Sequence, residues 1–214
     1  MRLSISMLLL IGSVGAMSQT RLLATASASP THKATPAAPG PQATTLYTAE
    51  VTPLLVTAGG SVVGNISPGT PVNIIGTSGK FSHVTVQGWS TQKGPSQVYS
   101  DVGQRINMVS LSDAKTAPRS VGKTTTDSYK AVWENVTVTG WVASAALLKD
   151  QKTTWSQAGA LYSKSCGACH AAHQPTDHSA NEWIGVMKGM APRTSLTKNQ
   201  VALILKYLQI NAKK

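Results

Sequence analysis

The chain of 214 residues holds two cysteines, two residues apart and followed at once by a histidine, in the run Cys166-Gly167-Ala168-Cys169-His170. This C-x-x-C-H spacing is the attachment signature of haem c. Two thiols about one helical turn apart meet the two vinyl groups of a porphyrin, and a histidine directly after them reaches the iron through an imidazole nitrogen. Other uses of a Cys pair fit less well. A structural zinc site takes four ligands, usually from two such pairs, and there is no second pair. A thioredoxin-type dithiol lies beside a βαβ pattern, whereas the pattern around Cys166 is helical. One covalent haem is the expected cofactor, held by Cys166 and Cys169, with His170 as the proximal iron ligand.

The sixth iron ligand separates an electron carrier from an open, substrate-binding site, because a filled coordination sphere leaves no vacant position and Met coordination raises the reduction potential. Met187, Met190, His173 and His178 follow the motif and are the candidates.

Helices must position these groups. From Trp155 onward the apolar period is about 3.6, which puts Trp155, Ala158, Tyr162 and Cys166 near one face of a helix entering the motif. A second helix is expected from Ser179, where Ser179 and Glu182 form a capping box and Trp183, Val186 and Met187 share a face. Met190 is expected in the loop just past its end. A last helix starts at the capping box Thr197-Lys198-Asn199-Gln200 and carries Val201, Ile204, Leu205 and Leu208 on one side, with Lys198 and Lys206 on its polar face.

The order of Met190, a Pro-containing loop, Leu196-Thr197 and a final helix resembles class I cytochromes c. In that class the loop Met is the distal ligand. The resemblance favours Met190, then Met187, with His178 or His173 as a bis-His alternative. It also implies that the last helix crosses the one before the Cys pair, with Gly159 as the small residue at the crossing and Tyr207 opposite it.

Residues 45 to 150 have a different period. Val72-Asn73-Ile74, Val84-Thr85-Val86 and Val136-Thr137-Val138 alternate, and Ala58-Gly59-Gly60 and Ser67-Pro68-Gly69 punctuate them, so this stretch reads as strands and turns. A motif occurs twice: Phe81 to Gly88-Trp89, and Trp133 to Gly140-Trp141, each an aromatic, two alternating valines and a Gly-Trp. A sharp bend is expected at each glycine. Trp89 and Trp141 are expected as packing residues and His83 as solvent-facing. Ser67-Pro68-Gly69-Thr70 and Gly140-Trp141-Val142 resemble the pattern of bacterial SH3-like domains, with residues 91–130 as an insertion. The expected architecture is thus α+β and multidomain: a small all-β SH3-like barrel (45–150) followed by an all-α, class I-like monohaem cytochrome c domain (151–214).

The N-terminus supplies the compartment. Met1-Arg2 precedes an apolar run from Leu3 to about Met17, shorter than the ~20 residues of a membrane span, and A-x-A patterns end at Ala26 and Ala28. Residues 1–28 read as a secretory signal peptide. Residues 29–44, rich in Ala, Pro and Thr, cannot form a core and read as a linker. Haem c is attached outside the inner membrane, so the expected location is the periplasm of a Gram-negative bacterium.

The formal charge is +11, from nineteen Lys plus Arg against eight Asp plus Glu. Such a balance favours acidic partners, and export argues against nucleic acid. Lys164, Lys188, Arg193 and Lys198 lie close in sequence to the haem-bearing elements and are candidates for docking an acidic protein by weak, fast electrostatic exchange.

Leu161-Tyr162-Ser163-Lys164-Ser165-Cys166, Asn181-Glu182-Trp183-Ile184-Gly185, Lys206-Tyr207-Leu208-Gln209 and Gly103-Gln104-Arg105-Ile106, together with the strand-rich region, resemble one family. It is the C-terminal portion of the pentahaem c-type cytochromes that pass electrons from membrane quinol to periplasmic trimethylamine N-oxide and dimethyl sulfoxide reductases. The resemblance implies an electron carrier and not an enzyme, with a quinol-oxidising multihaem cytochrome as donor and a molybdenum-containing reductase as acceptor. Those proteins begin with a membrane-anchored tetrahaem part, and this chain has a single haem motif. The rival expectation is a cell-wall- or peptide-binding barrel with a redox-sensing or ligand-binding haem.

Overall fold

The computed structural model describes residues 44–213. The expected signal peptide (1–28) and all but the last residue of the expected linker (29–44) lie outside them. Among the described residues no helix is long and apolar enough to cross a membrane.

The alternating runs form ten strands: β1 (Thr45–Thr48), β2 (Thr52–Leu55), β3 (Val62–Ile66), β4 (Pro71–Ser78), β5 (Phe81–Thr91), β6 (Gly94–Asp101), β7 (Gln104–Leu111), β8 (Arg119–Thr126), β9 (Val132–Ala143) and β10 (Leu147–Leu148). They pair in the order β10-β1-β4-β5-β6-β7-β3-β2-β9-β8, and an added β5–β9 pairing closes β5, β6, β7, β3, β2 and β9 into a ring. Closure removes edges that would otherwise expose unpaired backbone groups. The wall at the seam is the repeated motif itself. Its two copies are antiparallel neighbours, with Val86 opposite Val138 and His83 opposite Trp141. Val84, Val86, Val136 and Val138 fill the interior at 1% exposure or less.

Neither motif glycine lies at a positive φ, so a bend is not what they provide. A Cβ on Gly88 would stand 2.5 Å from the Tyr99 carbonyl oxygen, and one on Gly140 would stand 2.5 Å from Leu54 Cδ1. The glycines let a neighbouring strand approach closely. His83, expected in solvent, is half-buried and stacks on Trp141 at 4.5 Å between ring centroids. Residues 91–130, expected as an insertion, hold β6, β7 and β8, and the first two complete the ring with Val98 and Val109 fully buried.

Three helices follow: α1 (Lys152–Cys166), α2 (Glu182–Met190) and α3 (Lys198–Ile210). The Thr197 hydroxyl accepts from the Gln200 amide and the Gln200 side chain accepts from the Thr197 amide, so α3 is capped reciprocally at its start. Ser179 and Glu182 make the corresponding bonds ahead of α2, whose regular part begins at Glu182 and not at Ser179.

These helices overturn the expectation of a small barrel joined to a separate all-α class I cytochrome c domain. The described residues form one compact unit, mostly sheet, and the helices lie against the barrel. The reason is visible in their polar and aromatic side chains. Trp155 of α1 rests on Gly69, which has φ +63° and whose Cβ would fall 2.2 Å from the indole. Lys206 of α3, expected on a solvated face, is buried and donates to the Thr70 hydroxyl at 3.0 Å and the Asn107 carbonyl at 2.6 Å. Gln209 donates to the carbonyls of Arg105 and Ala180. Asn181 donates to the Gly103 carbonyl and accepts from the Arg105 amide, so the β6–β7 turn grips the start of α2. The bonds of Lys206 and Asn181, and one of the two made by Gln209, exist only because the helices meet the barrel.

Candidate functional site

Where α1 ends, Cys166 is its last helical residue, and Cys169 and His170 follow in a turn. Both thiols are free, Cys166 half-buried and Cys169 exposed, and burial pushes the Cys166 thiol pKa up. The His170 Nδ1 lies 2.8 Å from the Ala171 carbonyl oxygen, which can only accept, so the proton sits on Nδ1 and Nε2 is left with its lone pair. A backbone carbonyl on the far nitrogen is the usual way to orient a metal-binding imidazole.

Beyond the histidine the chain loops back. The Tyr162 hydroxyl of α1 donates to the His173 carbonyl at 2.8 Å, and the Trp183 indole of α2 donates to the Pro175 carbonyl at 2.8 Å. Burial holds the Tyr162 phenol protonated, its pKa raised to about 12. The two rings meet edge to face at 6.3 Å and, with Met187, Ile204 and Leu208, form the helical core. Gly159 of α1 faces the Tyr207 ring of α3, a Cβ there standing 3.2 Å from the phenol oxygen, so the contact expected between these two helices is present.

A cavity of about 620 Å³ opens between α1, the loop and α2. That volume lies within the ~300–1,000 Å³ range of cofactor and ligand pockets. Cys166, Cys169 and His170, from the end of α1 and the turn after it, and Met187 and Met190, from α2, line it. Of the two methionines, Met187 is 3% exposed and packed in the core, while Met190 is 38% exposed. Met190 is the last residue of α2 and does not lie in the loop beyond it. His173 lines the cavity; His178 does not, its ring instead meeting the Trp183 indole edge to face at 4.9 Å. Lys164 and Arg193 line the cavity, and Lys188 and Lys198 are exposed on α2 and at the start of α3.

Two thiols, an imidazole, two thioether sulfurs and an apolar wall of Tyr162, Trp183 and Val186 line one cavity and form a donor set that suits covalent haem. Among the described residues no cluster of three or more His, Cys, Asp or Glu side chains is arranged to hold a bare metal ion. Sequence reasoning missed the residues that brace the site from the barrel side, Asn181, Lys206 and Gln209. Only the occurrence of the first in Asn181-Glu182-Trp183 and of the others in Lys206-Tyr207-Leu208-Gln209 marked them.

Comparison with known proteins gives two adjoining matches. Residues 41–147 match the family described as TorC third cytochrome c domain, and residues 162–214 match dihaem cytochrome c. The C-x-x-C-H motif falls in the second. Cytochrome c-type protein TorC of Escherichia coli is 30% identical over 171 residues, which cover 78% of this chain and 44% of that protein. Cytochrome c-type protein TorY of Escherichia coli is 31% identical over 152 residues, 71% of this chain and 41% of the relative. TorY of Haemophilus influenzae is 32% identical over 130 residues, 60% and 35% respectively. The chain thus spans less than half the length of these relatives. No solved structure matches. The matches are to cytochromes c, which implies haem c as cofactor and agrees with an electron carrier rather than an enzyme. With half of its length matched, the chain belongs to the TorC third cytochrome c domain family.

Proposed function

We propose that this chain is a periplasmic c-type cytochrome that relays single electrons from a membrane quinol-oxidising multihaem cytochrome to a molybdenum-containing N-oxide or S-oxide reductase. The observation that carries the proposal is the convergence of Cys166, Cys169, His170, Met187 and Met190 on one cavity. Haem c supplies reversible one-electron chemistry at its iron. Cys166 and Cys169 anchor it, and two cysteines in the whole sequence support one haem in this chain. His170 would give its Nε2 to the iron, with Nδ1 held by the Ala171 carbonyl. Met190 would supply the second iron ligand, because its exposed thioether can reorient without emptying the core in which Met187 is packed. Tyr162 and Trp183 exclude water from the inner wall.

Residues 1–28 serve as the export signal, 29–44 as the tether, 45–150 as the barrel that buttresses the helices and assists docking, and 151–214 as the haem-bearing segment. The segment from 151 has eight Lys plus Arg against Asp177 and Glu182. Lys164 and Arg193 at the cavity, with Lys188 and Lys198 exposed on α2 and α3, present that excess and steer an acidic partner. The test is expression with the maturation machinery of c-type cytochromes. A mass gain of one haem, a low-spin spectrum and loss of the Met–Fe(III) absorption band in Met190→Ala are expected; loss of that band in Met187→Ala alone would reassign the ligand, and a colourless chain would remove the function. Delivery to the acceptor should slow as salt rises, and a salt-independent rate would contradict the basic docking face.

A further inference from the structure

Lys206 is withdrawn from water at 6% exposure, and its ammonium nitrogen meets only neutral oxygens, those of Thr70 and Asn107. Asn107 is in turn tied to neutral partners, accepting from the Ser67 hydroxyl and donating to Gln97. No ion pair includes Lys206 among the described residues. The ionisable groups on the surrounding elements are Lys198 and Tyr207 on its own helix, Arg105 on β7, Tyr47 on β1, Lys152, Tyr162, Lys164 and Cys166 on α1, and Tyr99 and Asp101 on β6, which pairs with β7 beside Asn107. The carboxylate among them, Asp101, is at the β6–β7 turn, where it accepts from the Val102 amide. On α2, which packs against α3, Glu182 is taken up by Ser179, with Lys213 3.9 Å away. Among the described residues no carboxylate is paired with this nitrogen.

The same helix carries Ile204 and Leu208 into the core shared with Tyr162, Trp183 and Met187, the last three of which line the cavity. The amine and the cavity are thus set on either side of α3, a separation on the order of one helix diameter, ~10–12 Å, plus side chains. Across protein interior of effective dielectric ~20, unit charges at such a distance still interact enough to move a pKa by roughly half to one unit.

We propose that Lys206 is a redox-linked proton site, taking up a proton at Nζ when an electron enters at the neighbouring cavity and releasing it when the electron leaves. The inference rests on the reading of that cavity as the haem site. In balance, one electron from a one-electron donor converts ferric to ferrous iron, and up to one proton from solvent converts the amine to an ammonium; only an N–H bond is made, and reoxidation reverses both. Burial pushes the Lys206 pKa down to about 7, so the amine changes charge where the periplasm operates. Below that pH it is charged in both oxidation states and well above it is neutral in both. By reciprocity the midpoint potential falls as pH rises through the window near 7 and is flat on either side.

The test is potentiometric titration of the full haem-loaded protein between about pH 5.5 and 9, for the wild type, Lys206→Met and Lys206→Arg. Arg stays charged throughout. The wild-type potential should bend near pH 7; the Met variant should lose that bend and lie low, and the Arg variant should lose it and lie high. His173, His178 and Asp177 remain in every variant, so the difference isolates Lys206. If neither variant folds, the Lys206 side-chain carbon resonance followed against pH in the wild type should give a higher pKa in the reduced than in the oxidised protein. A normal haem spectrum with the same pH profile in all three proteins, or one lysine pKa in both oxidation states, overturns the proposal and leaves the electron-carrier reading intact. A chain that never acquires haem overturns both.

Discussion

In the barrel, ten apolar side chains from Leu54 to Val142 are exposed by 1% or less, eight of them valine, and they pack into one cluster. In the helical segment five buried residues form the core, and beside it lies a cavity. The first region is stabilised by its own apolar contacts. The second borrows: Trp155, Lys206, Gln209 and Asn181 find their partners on Gly69, Thr70, Asn107 and the β6–β7 turn, and the remaining apolar wall lines the cavity. Short helices bury little surface on their own. The barrel is therefore the foundation on which a small redox segment is held in shape.

The sharpest way to break this contrast is at the thiols. Cys169→Ala should abolish two-bond haem attachment and leave the barrel folded, as read by mass spectrometry together with hydrogen exchange in residues 45–143; exchange lost throughout the barrel would mean that the two regions are not separable in stability. Next in size, Trp183→Ala, at a site 1% exposed, should cost ~3–5 kcal/mol, and Leu54→Ala in the barrel ~2–5 kcal/mol. Amide exchange should place the first loss in the helices alone, while the second should reach both regions.

The interface carries its own pH signature. The folded-state pKa of Lys206, about 7, lies below the ordinary lysine value of 10.5, so the unfolded chain binds the extra proton in between. Stability should rise with pH from about 7 toward 10.5, at up to about 1.4 kcal/mol per pH unit, and be flat in this respect below 7. Denaturant midpoints measured across that range should show the slope in the wild type and its absence in Lys206→Met. The smallest effect is expected at the α3 cap: Thr197→Ala should cost ~1 kcal/mol, seen as a lower denaturant midpoint with an unchanged barrel exchange pattern.

How much of this was legible differs between the regions. Alternation located the strands because a pleated wall demands period two, and both the doubled Val-x-Val…Gly-Trp motif and the α3 capping box were visible as short-range patterns. That the two motif copies are each other's neighbours was not legible, since pairing joins residues about fifty positions apart and nothing local records it. For the same reason residues 91–130 looked like an insertion although β6 and β7 close the ring. Lys206 looked like a solvated face residue because helix periodicity describes one buried stripe, whereas α3 is buried on two sides.

The sequence by itself carried the pointer to the chemistry: two thiols and a histidine at fixed local spacing match the haem c attachment signature whatever surrounds them. Only the tertiary structure decided that the helices form one unit with the barrel, that Met187 and Met190 share a cavity while His178 stands outside it, and that one lysine is sealed in without a counter-charge. The physical reason is range. Attachment chemistry is set within one helical turn, but burial, docking and the environment of a charge are set by contacts between residues up to 136 positions apart.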